Sequence, residues 1–120
     1  MNKNNDTNIA ESSGPYKLEV NSGINGKNQF LNIGIVGAGA FAEFAIQSFL
    51  QIEGVRIIGV TDINASAAIK MANESKASFY TDLSNFLEAE SIDLVYISTP
   101  PYLHYEQSKA ALQAGKHVIG

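Results

Sequence analysis

From residue 30 onward, the chain alternates between two kinds of apolar pattern. Short, almost wholly apolar runs, such as residues 31–36, are typical of strands buried on both faces of a parallel sheet. Between these runs lie segments with apolar residues at helical spacing. Because each strand is then joined to the next through a helix, the strands must be parallel and the crossovers right-handed. The sequence therefore predicts a single α/β domain with a doubly wound parallel sheet, a Rossmann fold.

The same patterns place the individual elements. Strands are predicted at 31–36, 55–60, 77–80, 94–97 and 116–119, and helices at about 41–52, 62–73, 82–89 and 102–114. Thr81 fits the N-cap of the third helix, and Gly54 is expected to end the first. The first helix is expected to bury Phe41, Phe44, Ala45, Ser48, Phe49 and Ile52, and the second to bury Ala68, Ile69 and Ala72.

Residues 1–29 differ from the rest, since they are rich in Asn, Ser and Gly. This composition predicts a polar, flexible N-terminal tail, and the folded domain is then expected over 30–120. One alternative stays open. Tyr16, Leu18 and Val20 alternate with polar neighbours, which also fits a short strand.

The turn between the first strand and the first helix matches the Ala-ended form of the G-x-G-x-x-G/A dinucleotide fingerprint. Gly37 permits a tight turn, Gly39 lets a pyrophosphate approach the backbone, and Ala42 lets the helix lie near the strand. The N–H groups of Ala40 and Phe41 then point toward the phosphates at the positive end of the helix dipole. The glycines alone are a common pattern. Their place between an apolar strand and a helix makes them predict a dinucleotide site.

Asp62 lies at the end of the second strand, 23 residues beyond Gly39. A carboxylate there can accept hydrogen bonds from the 2′- and 3′-hydroxyls of an adenosine ribose and would repel a 2′-phosphate. Ile63 and Asn64 follow, and neither supplies the positive charge that such a phosphate needs. NAD is therefore predicted over NADP. The alternative is that Asp62 caps the second helix, a role that Asn64 fills equally well.

The loop after the fourth strand is the third part of the predicted site. In this topology the fourth strand lies beside the first, so the loop faces the same crevice as the glycine turn. The backbone of Ser98 and Thr99 is expected to meet the nicotinamide ribose or the pyrophosphate. Pro100 either stiffens the loop or simply starts the next helix. His104 lies either near the nicotinamide end or exposed without a role, whereas His117 is expected to be structural within the fifth strand.

Composition excludes several other classes of protein. The formal charge is -4 and the basic residues are scattered, so no nucleic-acid-binding surface is expected. The chain has no cysteine, and neither histidine has a second ligand at metal spacing, so no metal site is predicted. The longest apolar run is well short of the roughly 18 residues of a membrane span, and the N-terminus is polar. A cytoplasmic protein without membrane contact is expected.

Taken together, these residues resemble the Gfo/Idh/MocA family, which includes glucose–fructose oxidoreductase and inositol dehydrogenase. The resemblance covers nearly everything from residue 31 to the end. Its most specific blocks are the Thr-Pro loop with His104 and the segment that leads into the fifth strand. The matching segments are 33–39, Asp62, 93–101 with His104, and 110–118.

The resemblance implies a nicotinamide cofactor on the glycine turn, the acidic residue and the Thr-Pro loop. It also implies a catalytic lysine in a Glu-Lys-Pro motif just past Gly120, followed by a larger α/β domain with the substrate pocket and the oligomer interface. The present chain is therefore expected to be incomplete at its C-terminal edge, inactive by itself, and without an assignable catalytic residue. The predicted cofactor-binding residues are Gly37, Gly39, Ala40, Phe41, Asp62, Ile63, Ser98, Thr99, Pro100 and His104.

The function implied for the intact protein is hydride transfer between a nicotinamide cofactor and a sugar, cyclitol or related polyol, in a homo-oligomer. One alternative is a non-catalytic NAD-binding or sensor module. Another is a doubly wound domain for a different nucleotide, such as a methyl donor. That reading leaves the Thr-Pro-Pro…His block unexplained.

Overall fold

The computed structural model describes residues 16–17, 30–89 and 91–120. Its strands are β1 (Tyr16–Lys17), β2 (Leu31–Val36), β3 (Ile52–Glu53), β4 (Val55–Thr61), β5 (Ser78–Tyr80), β6 (Leu94–Ile97) and β7 (His117–Ile119). Its helices are α1 (Ala40–Phe49), α2 (Ala65–Ser75), α3 (Leu83–Glu88) and α4 (Pro101–Gln113). From β2 onward, the predicted strands and helices all appear within a few residues of their expected bounds.

The main sheet has five strands in the order β5-β4-β2-β6-β7, and every neighbouring pair is parallel. The chain runs outward from β2 to β4 and β5, then crosses to β6 on the other side of β2. The predicted doubly wound sheet is confirmed, and so is the expected neighbour relation of β2 and β6. Because the strand order reverses at β2, the turn after β2 and the loop after β6 emerge side by side.

Buried apolar residues form one cluster on each face of this sheet. Along β2, Ile33 and Ile35 belong to a cluster with α1 and α2, whereas Val36 belongs to a cluster with Phe86 and Ala111 of α3 and α4. Successive side chains of a strand point to opposite faces, so the two clusters lie on opposite sides of the sheet. Helices therefore cover both faces, which explains why the central strand is so uniformly apolar.

The buried face of α1 differs from the prediction. Ala45 is buried as predicted, but Phe41 and Phe44 are 79% and 74% exposed and Ser48 is exposed too. Ala42 and Ile46 are buried instead. The aromatic stripe and the observed face both have helical spacing and are offset by about one residue. The start of α1 lies so close to the sheet that Ala42 is fully buried, and this close approach favours small side chains over aromatic ones.

The end of α1 was also predicted wrongly. The helix ends at Phe49, and the chain then forms β3, which pairs in parallel with β1. Gly54, with a φ of +92°, turns the chain into β4 and does not end the helix. A two-residue strand leaves no periodic signal in the sequence, and the apolar residues at helical spacing continue to Ile52.

The described strand β1 falls within the segment predicted to be a flexible tail. It carries Tyr16, the first residue of the alternating pattern that left a strand as the alternative. Leu18 and Val20 lie outside the described residues, as does the rest of 1–29. The tail as a whole stays a prediction.

Two further local predictions were wrong. Ile69, which was predicted to be buried in α2, is 42% exposed, and Met71 is buried there instead. Asp82, and not Thr81, is the N-cap of α3, because its carboxylate accepts a hydrogen bond from the N–H of Asn85 at 2.8 Å. In the described ranges, no helix is long and apolar enough to cross a membrane.

Candidate functional site

Gly37 makes the turn that leaves β2. Its φ of +100° lies in the left-handed region that favours glycine. A Cβ atom there would stand 2.8 Å from Ser98 Oγ and 3.1 Å from Thr99 Cγ2. The Gly37 N–H also donates to the carbonyl of Thr61 at 2.8 Å. Glycine is therefore required for backbone conformation and for the close approach of the loop that follows β6.

Gly39 serves a different purpose. It is the N-cap of α1 with an ordinary extended conformation, and a Cβ atom built on it would meet nothing within 4 Å. The space in front of the turn is thus open. The first N–H groups of an α-helix, here those of Ala40 and Phe41, have no intrahelical acceptor and lie at the positive end of the helix dipole. This combination suits an anion such as a pyrophosphate.

Asp62, at the end of β4, is tied directly to the glycine turn. One carboxylate oxygen accepts the N–H of Ala38 at 2.6 Å, and the other accepts the N–H of Asn64 at 2.7 Å. Asn64 in turn caps α2 by accepting the N–H of Ala67 at 3.2 Å. Of the two capping candidates, Asn64 is the one that caps the helix. The carboxylate of Asp62 is half-buried and fixed beside the turn, while Ile63 is 98% exposed.

Ser98 joins the loop after β6 to the end of β2. Its N–H donates to the Val36 carbonyl at 2.9 Å. Its hydroxyl lies 3.2 Å from the same carbonyl and 3.1 Å from the carbonyl of Gly37, to which it also donates. The predicted adjacency of the loop and the glycine turn is therefore made by hydrogen bonds as well as by packing.

Thr99 is held by the helix that follows it. Its hydroxyl donates to Oε1 of Gln107, and its carbonyl lies 2.7 Å from Nε2 of His104. Pro100 is the N-cap of α4 and Pro101 its first residue, so the proline pair does start a helix. His104 is half-buried and contacts the loop backbone, so the exposed alternative is wrong, while its position near the nicotinamide end stays a prediction.

Gln107 was missed in the sequence. The available signal was its spacing from His104, since residues at i and i+3 share one face of a helix. Nothing in the sequence showed that this face turns back toward Thr99. His117 lies in β7 as expected, and its N–H donates to the carbonyl of Asp93 at 3.0 Å.

The glycine turn, Asp62 and the Ser98–Thr99 loop thus meet at the carboxyl ends of three adjacent strands, β2, β4 and β6. Phe41 and Ile63 flank them as exposed side chains. Within the described parts of the chain, no group of three or more His, Cys, Asp or Glu side chains gathers where it could hold a metal ion. The arrangement offers backbone donors, an open space and one fixed carboxylate, which are the components of a dinucleotide site.

Comparison with known proteins agrees with this geometry. Residues 31–120 match the family model of Gfo/Idh/MocA proteins, described as an oxidoreductase family with an NAD-binding Rossmann fold. A 4-carboxy-2-hydroxymuconate-6-semialdehyde dehydrogenase of Sphingobium sp. (strain SYK-6) is 37% identical over 89 residues. That match covers 73% of this chain and 28% of the relative, so the chain spans little more than a quarter of that protein's length.

Two solved structures extend the comparison. The myo-inositol dehydrogenase of Lactobacillus casei, in complex with NAD(H) and myo-inositol, superposes with a TM-score of 0.71 at 25% identity. That match covers 75% of this chain and 27% of the enzyme. The biliverdin reductase of Synechocystis sp. PCC 6803, in complex with biliverdin and NADP+, gives a TM-score of 0.67 at 30% identity, over 73% of this chain and 28% of the reductase. From the match over 31–120 and the shared fold, we conclude that the chain belongs to the Gfo/Idh/MocA family of oxidoreductases and carries its NAD(P)-binding Rossmann domain.

Proposed function

We propose that this chain binds its nicotinamide dinucleotide across the carboxyl ends of β4, β2 and β6, and that it prefers NAD to NADP. In this arrangement the pyrophosphate lies against Gly39 and the first turn of α1. The adenosine ribose lies at Asp62, and the nicotinamide riboside lies at Ser98 and Thr99. The relatives named above bind NAD in one case and NADP in the other, so the preference rests on the residues of this chain.

The position of the Asp62 carboxylate carries the proposal. Its two hydrogen bonds, to the N–H groups of Ala38 and Asn64, hold it at the glycine turn without using all its acceptor capacity. An ionised carboxylate has about four lone-pair sites, so it can still accept the two ribose hydroxyls. A 2′-phosphate at the same place would meet a fixed negative charge.

The residues after Asp62 add to the preference for NAD. Ile63, Asn64 and Ala65 bring no positive charge to this end of the crevice. An NADP site usually places an arginine here to neutralise the phosphate. The exposed side chain of Ile63 supplies an apolar surface beside the ribose position.

For the whole protein, we infer hydride transfer between the nicotinamide and a hydroxyl or carbonyl carbon of a sugar, cyclitol or related polyol. The support is family membership together with the myo-inositol dehydrogenase of L. casei, whose structure contains both NAD(H) and myo-inositol. The cofactor supplies the hydride chemistry. The residues of this chain bind the dinucleotide and orient it at the strand ends.

The experiment that tests the cofactor preference is calorimetric titration of the chain with NAD and NADP, before and after Asp62→Ala. The wild-type chain is expected to bind NAD more tightly. The substitution removes hydrogen bonds to a charged acceptor, so NAD affinity should fall roughly tenfold to a hundredfold. NADP affinity should fall much less, because the same change also removes a repulsive charge.

Asp82→Ala is the matched control, since Asp82 is also a carboxylate after a strand that accepts a backbone N–H. It should leave both affinities unchanged. A parallel loss of NAD and NADP binding in Asp62→Ala would mean that Asp62 only supports the turn. Unchanged NAD affinity would refute the ribose assignment, and a wild-type chain that binds neither dinucleotide would refute the proposed site.

A further inference from the structure

Thr99 is held from two sides by α4. The Oε1 atom of Gln107 accepts the hydrogen of the Thr99 hydroxyl, and Nε2 of His104 lies 2.7 Å from the Thr99 carbonyl oxygen. Both holding side chains are half-buried, as is Thr99. Two hydrogen bonds from one helix, one to the side chain and one to the backbone, restrict the rotamer of Thr99 and the path of the loop together.

The hydrogen bonds also decide what the loop can offer to a ligand. A hydroxyl has one hydrogen and two acceptor lone pairs. Thr99 gives its hydrogen to Gln107, and Ser98 gives its hydrogen to the carbonyls of Val36 and Gly37. Both hydroxyl oxygens are therefore left with lone pairs only, so toward a ligand they can act as acceptors but not as donors. Pro100, the next residue, has no N–H to contribute.

An acceptor-only surface discriminates between the parts of a dinucleotide. Phosphate oxygens at neutral pH are acceptors, so they gain nothing from the hydroxyls of Ser98 and Thr99. Ribose hydroxyls and the carboxamide N–H₂ of nicotinamide are donors and match them. Open space and backbone N–H groups lie at Gly39 instead, on the other side of Gly37.

We propose that Gln107 is a positioning residue, which fixes Thr99 as a hydrogen-bond acceptor for the nicotinamide riboside half of the dinucleotide. The inference rests on the proposed function, since it assumes that the dinucleotide lies along this crevice. Gln107 lies outside the predicted site. The two halves of the dinucleotide then meet different protein groups: backbone donors bind the phosphates, and a fixed side-chain acceptor binds the riboside.

The test compares NAD with ADP, which lacks the nicotinamide riboside. In Gln107→Leu, NAD affinity should fall roughly three- to tenfold, the range of one hydrogen bond, while ADP affinity stays at the wild-type value. Gln107→Glu keeps an acceptor for the Thr99 hydroxyl and should recover most of the NAD affinity. Because Gln107 acts through Thr99, the double variant Gln107→Leu/Thr99→Val should bind NAD no more weakly than Thr99→Val alone.

Gln113→Leu, an exposed glutamine on the same helix, is the matched control and should change neither affinity. Equal losses of NAD and ADP binding in Gln107→Leu would show a merely structural role and overturn the inference. NAD affinity unchanged in Gln107→Leu would overturn it as well, while leaving the proposed function intact. If the wild-type chain binds ADP and NAD equally well, the riboside makes no contact and the role of Thr99 is wrong.

Discussion

The turn after β2 and the loop after β6 lie side by side, yet they are built in opposite ways. The turn has no side chain at Gly37 or Gly39, and the space at Gly39 is open for 4 Å around a hypothetical Cβ. The loop is crowded, and the hydroxyls of Ser98 and Thr99 both donate to groups of the protein itself. The turn provides unoccupied space, whereas the loop provides side-chain atoms in fixed positions.

The difference reflects the two kinds of ligand atom that each region is proposed to meet. A pyrophosphate is bulky, charged and satisfied by backbone N–H groups, so it needs clearance and an unobstructed helix terminus. A nicotinamide riboside is neutral around its hydroxyls and must be oriented for hydride transfer, so it needs side chains held in place. Gly37 is the contact between the regions, and substitutions there should affect both.

The largest effect is expected from Gly37→Ala. The residue has a φ of +100°, and the new Cβ would lie 2.8 Å from Ser98 Oγ. The left-handed conformation costs about 1–2 kcal/mol and the forced contact about as much again, so the free energy of unfolding should fall by about 3 kcal/mol. Urea unfolding, followed by circular dichroism, measures this change.

Gly115→Ala separates the two contributions. Gly115 also has a left-handed φ, +81°, but a Cβ there would meet nothing within 4 Å. In Gly115→Ala, the free energy of unfolding should therefore fall only by the conformational contribution, about 1–2 kcal/mol. Equal losses at the two glycines would mean that the loop yields freely, and that the turn and the loop are less tightly joined than their contacts indicate.

Gly39→Ala should weaken dinucleotide binding without destabilising the fold. Its φ of −95° is allowed for alanine, and the methyl group enters open space. The free energy of unfolding should change by less than about 1 kcal/mol. NAD and ADP affinities should both fall roughly tenfold or more, because the methyl group stands where the pyrophosphate approaches. Unchanged ADP affinity in calorimetry would remove Gly39 from the phosphate site.

The sequence was sufficient for the parts of the fold that depend on repeated patterns. Strands β2, β4 and β6 were predicted nearly residue by residue, because each is a run of buried apolar residues with clear breaks. Their parallel order followed from the alternation with helices. The tight turn at Gly37 was also predicted, and its φ of +100° is a conformation that favours glycine.

Several failures occurred where a contact between distant segments decides the outcome. Burial of Ala42 in place of Phe41 depends on how closely α1 approaches the sheet, and helical spacing alone does not fix that distance. The hydrogen bond that the Thr99 hydroxyl donates to Gln107 depends on how α4 turns back after Pro100. The hydrogen bond between Asp62 and Ala38 joins residues 24 apart in the sequence. Both segments belong to the predicted site, but only the folded structure shows that this bond connects them.

Ser98→Ala tests the junction from the loop side. The substitution removes the hydroxyl bonds to Val36 and Gly37 and leaves the backbone bond to Val36 in place. A half-buried pair of hydrogen bonds of this kind stabilises the folded state by about 1 kcal/mol.

In the Gly37→Ala background, however, the same change also removes the oxygen that the new methyl group contacts. The double variant should therefore lose about 1 kcal/mol less than the two single losses added together, as measured by urea unfolding. Strict additivity of the losses in unfolding free energy would show that the turn and the loop are adjacent but not energetically coupled. Each half of the crevice would then have to be positioned by its own helix alone.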